Sequence, residues 1–210
     1  MGKLENGAFG AITGKVAKLV SYKLRGQNVV RKNRTVKIKA TATQLPVRER
    51  MRIVNDFLRP IKDFINLGFM FKAEGTVWNQ YNVATSYTLL HAMVGEYPNI
   101  SIDYSKVMVS AGKLKSATAP TVEKVEGALL IKWTYDAVAD FSFRNDRAMI
   151  LLSFPSGDEP IYFLSGSLRS EGMQSIALDP ETITRRCDIY VSFFAEKRKS
   201  VSDSKHIYII

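Results

Sequence analysis

Asp188-Ile-Tyr-Val-Ser-Phe-Phe-Ala195 is the stretch on which the fold class turns. In an extended chain Ile189, Val191, Phe193 and Ala195 stand on one side and Tyr190, Ser192 and Phe194 on the other, so apolar side chains occupy both faces. A strand of that kind belongs in the interior of a sheet covered on both sides. Outward from it run further β-patterned segments: Ala128 to Tyr135, Ala148 to Phe154, Pro160 to Leu164, Gln174 to Leu178 and Lys205 to Ile209. Breaks such as Pro155-Ser156-Gly157-Asp158 and Asp179-Pro180-Glu181 separate them.

The spacing of these runs over residues 118–210 is that of an immunoglobulin-like or fibronectin type III-like β-sandwich. Trp133, in the first strong strand, resembles in placement the core tryptophan of fibronectin type III domains. Cys187 is the one cysteine, so the fold uses no intramolecular disulfide, and its setting predicts a small buried strand residue.

Residues 44–117 carry a different period. Thr43 as cap and Pro46 in the first turn mark a helix start. Met51, Val54, Phe57, Leu58, Ile61, Phe64 and Ile65 then recur at three- and four-residue spacing, with Arg48, Arg50, Arg52, Arg59 and Lys62 off most of that stripe. Pro60 should kink or divide this helix and Gly68 should end it. A second helix is expected from Thr76 to Val94, burying Trp78, Tyr81, Tyr87, Leu90 and Met93. A turn at Glu96-Tyr97-Pro98-Asn99 leads to a strand from Ile100 to Val109.

Residues 1–43 read as a basic β arm. From Asn6 to Arg48 there is no Asp or Glu and there are ten Lys or Arg, which equals the net charge of +10, so the remainder is neutral. Two β-prone stretches, Lys15 to Leu24 and Asn28 to Lys39, flank Arg25-Gly26-Gln27, a hairpin turn containing glycine. Val36 and Ile38 would share one face and Lys37 and Lys39 the other, giving a ribbon with one charged side. Concentrated charge of one sign points to a polyanion or an acidic surface, whereas lysines on an edge hairpin can also serve solubility alone. The candidate binding residues are Lys15, Lys18, Lys23, Arg25, Arg31, Lys32, Arg34, Lys37 and Lys39.

The chain as a whole resembles an uncharacterised Bacteroidota family of about 200 residues, a domain of unknown function. The resemblance is carried by Gly-Ala-Phe-Gly, Thr-Gly-Lys-Val and Tyr-Lys-Leu-Arg-Gly-Gln-Asn-Val-Val-Arg within Met1 to Arg31, by Gln44 to Phe69 and by Ile102-Asp-Tyr-Ser-Lys-Val-Met-Val-Ser110. It implies one α+β architecture of basic N-terminal β-hairpin arm, helical middle segment and C-terminal sandwich, and assigns no functional residue.

Enzyme signatures fail on chemistry. Gly10-Ala-Ile-Thr-Gly14-Lys15-Val16 is one residue short of a phosphate-binding loop and has Val16 where a hydroxyl should hold magnesium. His91 and His206, the two histidines, lack a second ligand at metal spacing and read as structural. Ser165-Gly166-Ser167 has no nucleophile-elbow context. The pairs Asp140 with Asp146 and Asp179 with Glu181 read as solvated turns. At 46% hydrophobic and 24% charged residues the composition excludes a disordered chain, and no uncharged apolar run reaches the ~20 residues of a membrane span. No secretory signal is seen, so a cytoplasmic location or leaderless export is expected. The expectation is a non-enzymatic structural or interaction protein without cofactor, catalytic residue or metal site. It self-associates or docks on another protein through the arm and sandwich edges. The alternative is sequence-nonspecific nucleic-acid binding by the arm.

Overall fold

A computed structural model describes residues 2–3, 13–24, 26–33 and 39–209. It divides into two units, Met1–Thr43 and Gln44–Ile210.

In the first unit β1 (Gly2–Lys3), β2 (Gly14–Val16), β3 (Leu19–Leu24) and β4 (Gln27–Lys32) form an antiparallel sheet in the order β1-β4-β3-β2. The hairpin expected around Gly26 joins β3 to β4, with Leu24 opposite Gln27 and Gly26 at φ +82°, a left-handed conformation that glycine adopts without strain. The expected strand from Lys15 to Leu24 is in fact two, β2 and β3, folded back at Ala17-Lys18. Ala17 takes φ +50° there, a turn that no glycine, asparagine or proline announces. The expected second strand is observed as far as Lys32. Residues 34–38, and with them the ribbon face read from Val36, Lys37 and Ile38, lie outside the described residues.

The second unit is α+β, with open antiparallel sheets. Its elements are α1 (Gln44–Leu58), α2 (Lys62–Gly68), α3 (Met70–Ala73), α4 (Gln80–His91), β5 (Met93–Val94), β6 (Ser101–Ile102), β7 (Thr118–Val125), β8 (Ala128–Thr134), β9 (Arg147–Ser153), β10 (Ile161–Phe163), β11 (Met173–Ala177), α5 (Pro180–Thr184), β12 (Cys187–Ala195), β13 (Ser200–Val201) and β14 (Lys205–Ile209). Pro60 has no N–H to donate, and the helix divides around it. The expected stripe is buried at Val54, Leu58, Ile61, Phe64 and Ile65, but Met51 is exposed, so burial begins one turn later than the periodicity suggests. α4 corrects its expectation more deeply. It starts at Gln80, capped by Asn79, whose side chain accepts the Asn82 N–H at 2.7 Å. It buries Ala84, Thr85 and Thr88, whereas Leu90 is 75% exposed and Trp78 lies outside it, 55% exposed. The two threonines hide their hydroxyls by bonding back to the Tyr81 and Ala84 carbonyls.

β12 is the centre. It pairs with β9 along one edge and with β14 and β13 along the other, and β10 extends the sheet beyond β9. Met149, Leu151, Tyr190 and Val201 face an apolar cluster with α1, α2 and α4. Ala148, Ile150, Leu152, Ile189, Val191 and Phe193 face a second cluster with Leu129, Ile131, Trp133 and Ile176 of the three-stranded sheet β11-β8-β7. Both faces of β12 are therefore covered, as its alternation demands. β7 was invisible to hydrophobic periodicity, being an edge strand of largely exposed residues interrupted at a bulge beside Pro120. Cys187 is buried in β12, and burial pushes its thiol up to about 12, which keeps it protonated and unreactive near neutrality.

Between the helices and β7, the expected strand from Ile100 is only β6, followed by a 3-10 turn, Tyr104–Lys106, and an irregular segment. That segment lies along β13. Ala111 N–H donates to the Gly68 carbonyl, Leu114 N–H to Val201 and Ser204 N–H to Ser110, and the Ser110 hydroxyl donates to the Ser202 carbonyl at 2.7 Å. Gly68 and Gly112 are required for this approach, since a Cβ on either would overlap the Val109 or Val201 carbonyl oxygen, respectively.

Candidate functional site

Six of the nine candidate cations of the arm are among the described residues. Lys15 is on β2, Lys18 in the turn after it, Lys23 on β3, Arg31 and Lys32 on β4 and Lys39 in the following coil; all six are exposed. No ion pair forms on any of them among the described residues. Arg25, Arg34 and Lys37 lie outside the described residues. Cross-strand partners share a face, so Lys15, Val20, Tyr22, Val29 and Arg31 stand on one side and Val16, Leu19, Ser21, Lys23, Val30 and Lys32 on the other. In these strands the charge is thus spread over both faces. The Arg31 guanidinium lies 5.7 Å from the Tyr22 ring centre.

Two carboxylates of the second unit are buried where solvated turns were expected. Asp140 accepts from Lys115 Nζ at 2.6 Å and from its neighbour Asp136 N–H, and the lysine bond holds its carboxyl below the usual range. Asp146 pairs with Arg198 and lies 3.6 Å from Arg169 Nε. Burial outweighs both arginines and pushes the Asp146 carboxyl up. Arg169, 3% exposed, stacks 3.8 Å above the Phe193 ring centre, donates to the Lys115 carbonyl, and receives the Trp133 indole N–H on its own carbonyl. Nothing in the local sequence signals this cluster, because Asp146, Arg169 and Arg198 come from three separate loops.

On the helical face of β12 and β14 a third buried carboxylate has a different setting. Register places Tyr190 opposite His206, with Asp188 two residues before Tyr190 on the same strand, so Asp188, Tyr190 and His206 project to the same side. His206 Nε2 lies 2.7 Å from Asp188 Oδ1, and Asp188 Oδ2 has no hydrogen-bond partner. The Tyr190 hydroxyl donates to the Tyr104 carbonyl at 2.8 Å, which holds the 3-10 turn over the sheet. Beside it opens a cleft of about 720 Å³, walled by Ile102, Tyr104, Thr184, Arg186, Asp188 and His206. His206 was expected to be structural; what the sequence hid is its partner, 18 residues away but adjacent once β12 and β14 pair. His91, by contrast, ends α4 in an exposed position against the Tyr87 ring. Among the described residues no three His, Cys, Asp or Glu side chains are grouped to hold a metal ion, and no helix is long and apolar enough to cross a membrane.

An α+β chain with a strongly basic β arm, two buried ion-pair clusters and no recognisable catalytic motif defines a class by architecture alone. Residues 8–209 match the model of a family of unknown function, DUF6266, and the chain belongs to that family. No curated protein matches it.

Proposed function

We propose that this chain is a non-enzymatic interaction protein that self-associates or docks on a partner protein through its basic β arm and sandwich edges. One observation carries the reading: among the described residues of the arm Val29 is the single buried apolar side chain, while Val16, Leu19 and Leu24 are 58%, 49% and 51% exposed. A small sheet that hides so little apolar surface gains little from its own folding and is stabilised by a surface outside itself. Its short outer strands, β1 and β2, also offer unpaired backbone groups to another strand.

The sandwich edges belong to a fibronectin type III-like arrangement in this reading. With β7, β8, β9, β10, β11, β12 and β14 counted one to seven, the sheets run 5-2-1 and 4-3-6-7. The fourth strand joins the third instead of the fifth, which separates it from the immunoglobulin constant arrangement. Trp133 sits on the second strand, in the inter-sheet cluster. Tyr190 departs from the pattern: its hydroxyl serves the helical face and forms no corner within the sandwich.

Unpaired cations favour a second reading, sequence-nonspecific nucleic-acid binding, in which Lys15, Lys18, Lys23, Arg31, Lys32 and Lys39 neutralise phosphates. Light scattering with and without nuclease, at low and high salt, separates the two. Docking predicts nucleic-acid-free oligomers or partner complexes that survive high salt. Replacing Lys18, Lys23, Arg31 and Lys32 together by glutamine should leave them intact. If instead the parent forms nuclease-sensitive complexes, and the variant flattens the salt dependence by about 0.9 per lost phosphate contact, the docking reading is wrong.

A further inference from the structure

The cleft beside the Tyr104–Lys106 turn is lined by residues of the second unit, and its polar groups are incompletely used among the described residues. Lys106 neutralises Asp103 at 3.0 Å, and Asp188 is committed to His206. Arg186 is exposed and has neither an ion pair nor a hydrogen bond among the described residues, and the Tyr104 hydroxyl likewise has no partner. Tyr104, whose phenol is half-buried, lines the cleft together with Asp188 and Arg186. Burial, with a smaller push from Asp188 against the pull of Arg186, raises that phenol above its ordinary value. It therefore keeps its proton and stands ready as a donor.

We propose that this cleft binds a small organic carboxylate, anchored by the Arg186 guanidinium and the Tyr104 hydroxyl and completed by His206 held on Asp188. Charge selects the class. Asp103 is paired with Lys106 and Asp188 is hydrogen-bonded to His206, which leaves the Arg186 guanidinium as the cleft-lining cation with no acidic partner among the described residues, one positive charge for one negative ligand group. A carboxylate supplies that charge and matches the guanidinium fork in a bidentate pair. A phosphate dianion exceeds this charge. The volume of about 720 Å³ is in the range of small-molecule sites and much larger than a carboxylate alone needs. Ile102 and the Tyr104 ring offer apolar contact to the rest of the ligand.

The test uses the full chain and ligand-detected saturation-transfer NMR, which tolerates large assemblies, with benzoate as probe and benzamide and inorganic phosphate as controls. Benzoate should give a saturable transfer signal that benzamide does not share and phosphate does not displace. Arg186→Gln, at an exposed side chain that holds nothing in the fold, should weaken benzoate about tenfold or more, the loss expected for a charge-assisted hydrogen bond. Tyr104→Phe should weaken it a few-fold, with the melting temperature reporting that the turn is intact. Absence of saturable transfer to benzoate, equal binding of benzamide, displacement by phosphate, or an unchanged affinity in Arg186→Gln would each overturn the assignment.

Discussion

Asp146 and Asp188 are both nearly inaccessible carboxylates, 2% exposed each, yet their surroundings differ in one respect that decides their use. Asp146 is met by two arginines, and one of them is itself sealed between Phe193, Phe143 and the Lys115 carbonyl. Asp188 is met by a single histidine that borders an open cleft. A network that includes a buried cation is costly to break because the survivors stay buried, even though Arg198, the outer partner of Asp146, is partly exposed on a smaller pocket of about 310 Å³. A carboxylate behind one partially accessible imidazole leaves hydrogen-bonding capacity facing solvent. Both outer partners border an opening, so the difference lies in the second, buried cation: Arg169 ties Asp146 into the fold, and Asp188 has no such tie among the described residues.

The largest expected effect tests the sealed cluster. Arg169→Ala leaves Asp146 with Arg198 as its one remaining cation and removes the Phe193 stack and the bond to the Lys115 carbonyl, and should destabilise by about 3–5 kcal/mol, a fall of roughly 10 °C in calorimetric midpoint. His206→Ala should cost distinctly less, about 1–3 kcal/mol, since water in the cleft can reach the vacated space. Equal losses in the two variants would break the comparison.

Next comes the segment that serves both clusters. It begins at the turn held by Tyr190 and ends at Lys115, whose carbonyl binds Arg169 and whose amine binds Asp140. Gly112→Ala drives a methyl into the Val201 carbonyl and should cost about 1–3 kcal/mol in urea unfolding. If it is silent, the segment does not couple the two sites. Tyr190→Phe, which loses only the hydrogen bond to the Tyr104 carbonyl, should cost about 1 kcal/mol by the same measurement.

The subtlest effect is a difference in sign with pH. The Asp140 carboxyl is lowered by its bond to Lys115, so its contribution is present above the unfolded value and is lost as pH falls through the folded one. Asp146 is raised by burial, so folding takes up a proton there, and its contribution is present in acid and lost as pH rises through the folded value. Asp140→Asn should therefore shallow the acid limb of a stability–pH curve, and Asp146→Asn should steepen it. Parallel shifts in the two variants would show that the carboxylates share one environment.

How much of this was legible in the sequence depended on whether the signal was local. The strands β8 to β12 and β14 were readable because turn residues separate them and β-branched residues fill them, and the break at Pro60 because one residue causes it. α4 was misread in part: Tyr81 and Met93 pack against the core as expected, but the fully buried face is Ala84, Thr85 and Thr88, residues that hydropathy overlooks, while Leu90 stays exposed. The arm was legible as a charge anomaly, yet its fold at Ala17 was not, since an alanine at positive φ leaves no trace in composition. The cleft was least legible of all: Tyr104, Arg186, Asp188 and His206 belong to a turn, a loop and two strands, and only strand pairing brings them together. Asp140 and Asp146 look like turn residues because they are turn residues, and their burial follows from cations supplied 25 and 52 positions away.

The docking of Ser110 on Ser202, across 92 residues, has a consequence for synthesis on the ribosome. The helices α1 to α4 emerge first, but the platform on which they bury Phe64 and Ile65 is built from β9, β12 and β13. Until Val201 has left the exit tunnel there is no finished sheet for them to cover, so for most of translation their apolar stripe stays unsheltered. A chain with so much distant pairing closes its longest loops late and folds slowly for its size, and its nascent helices are natural clients for a chaperone during that wait.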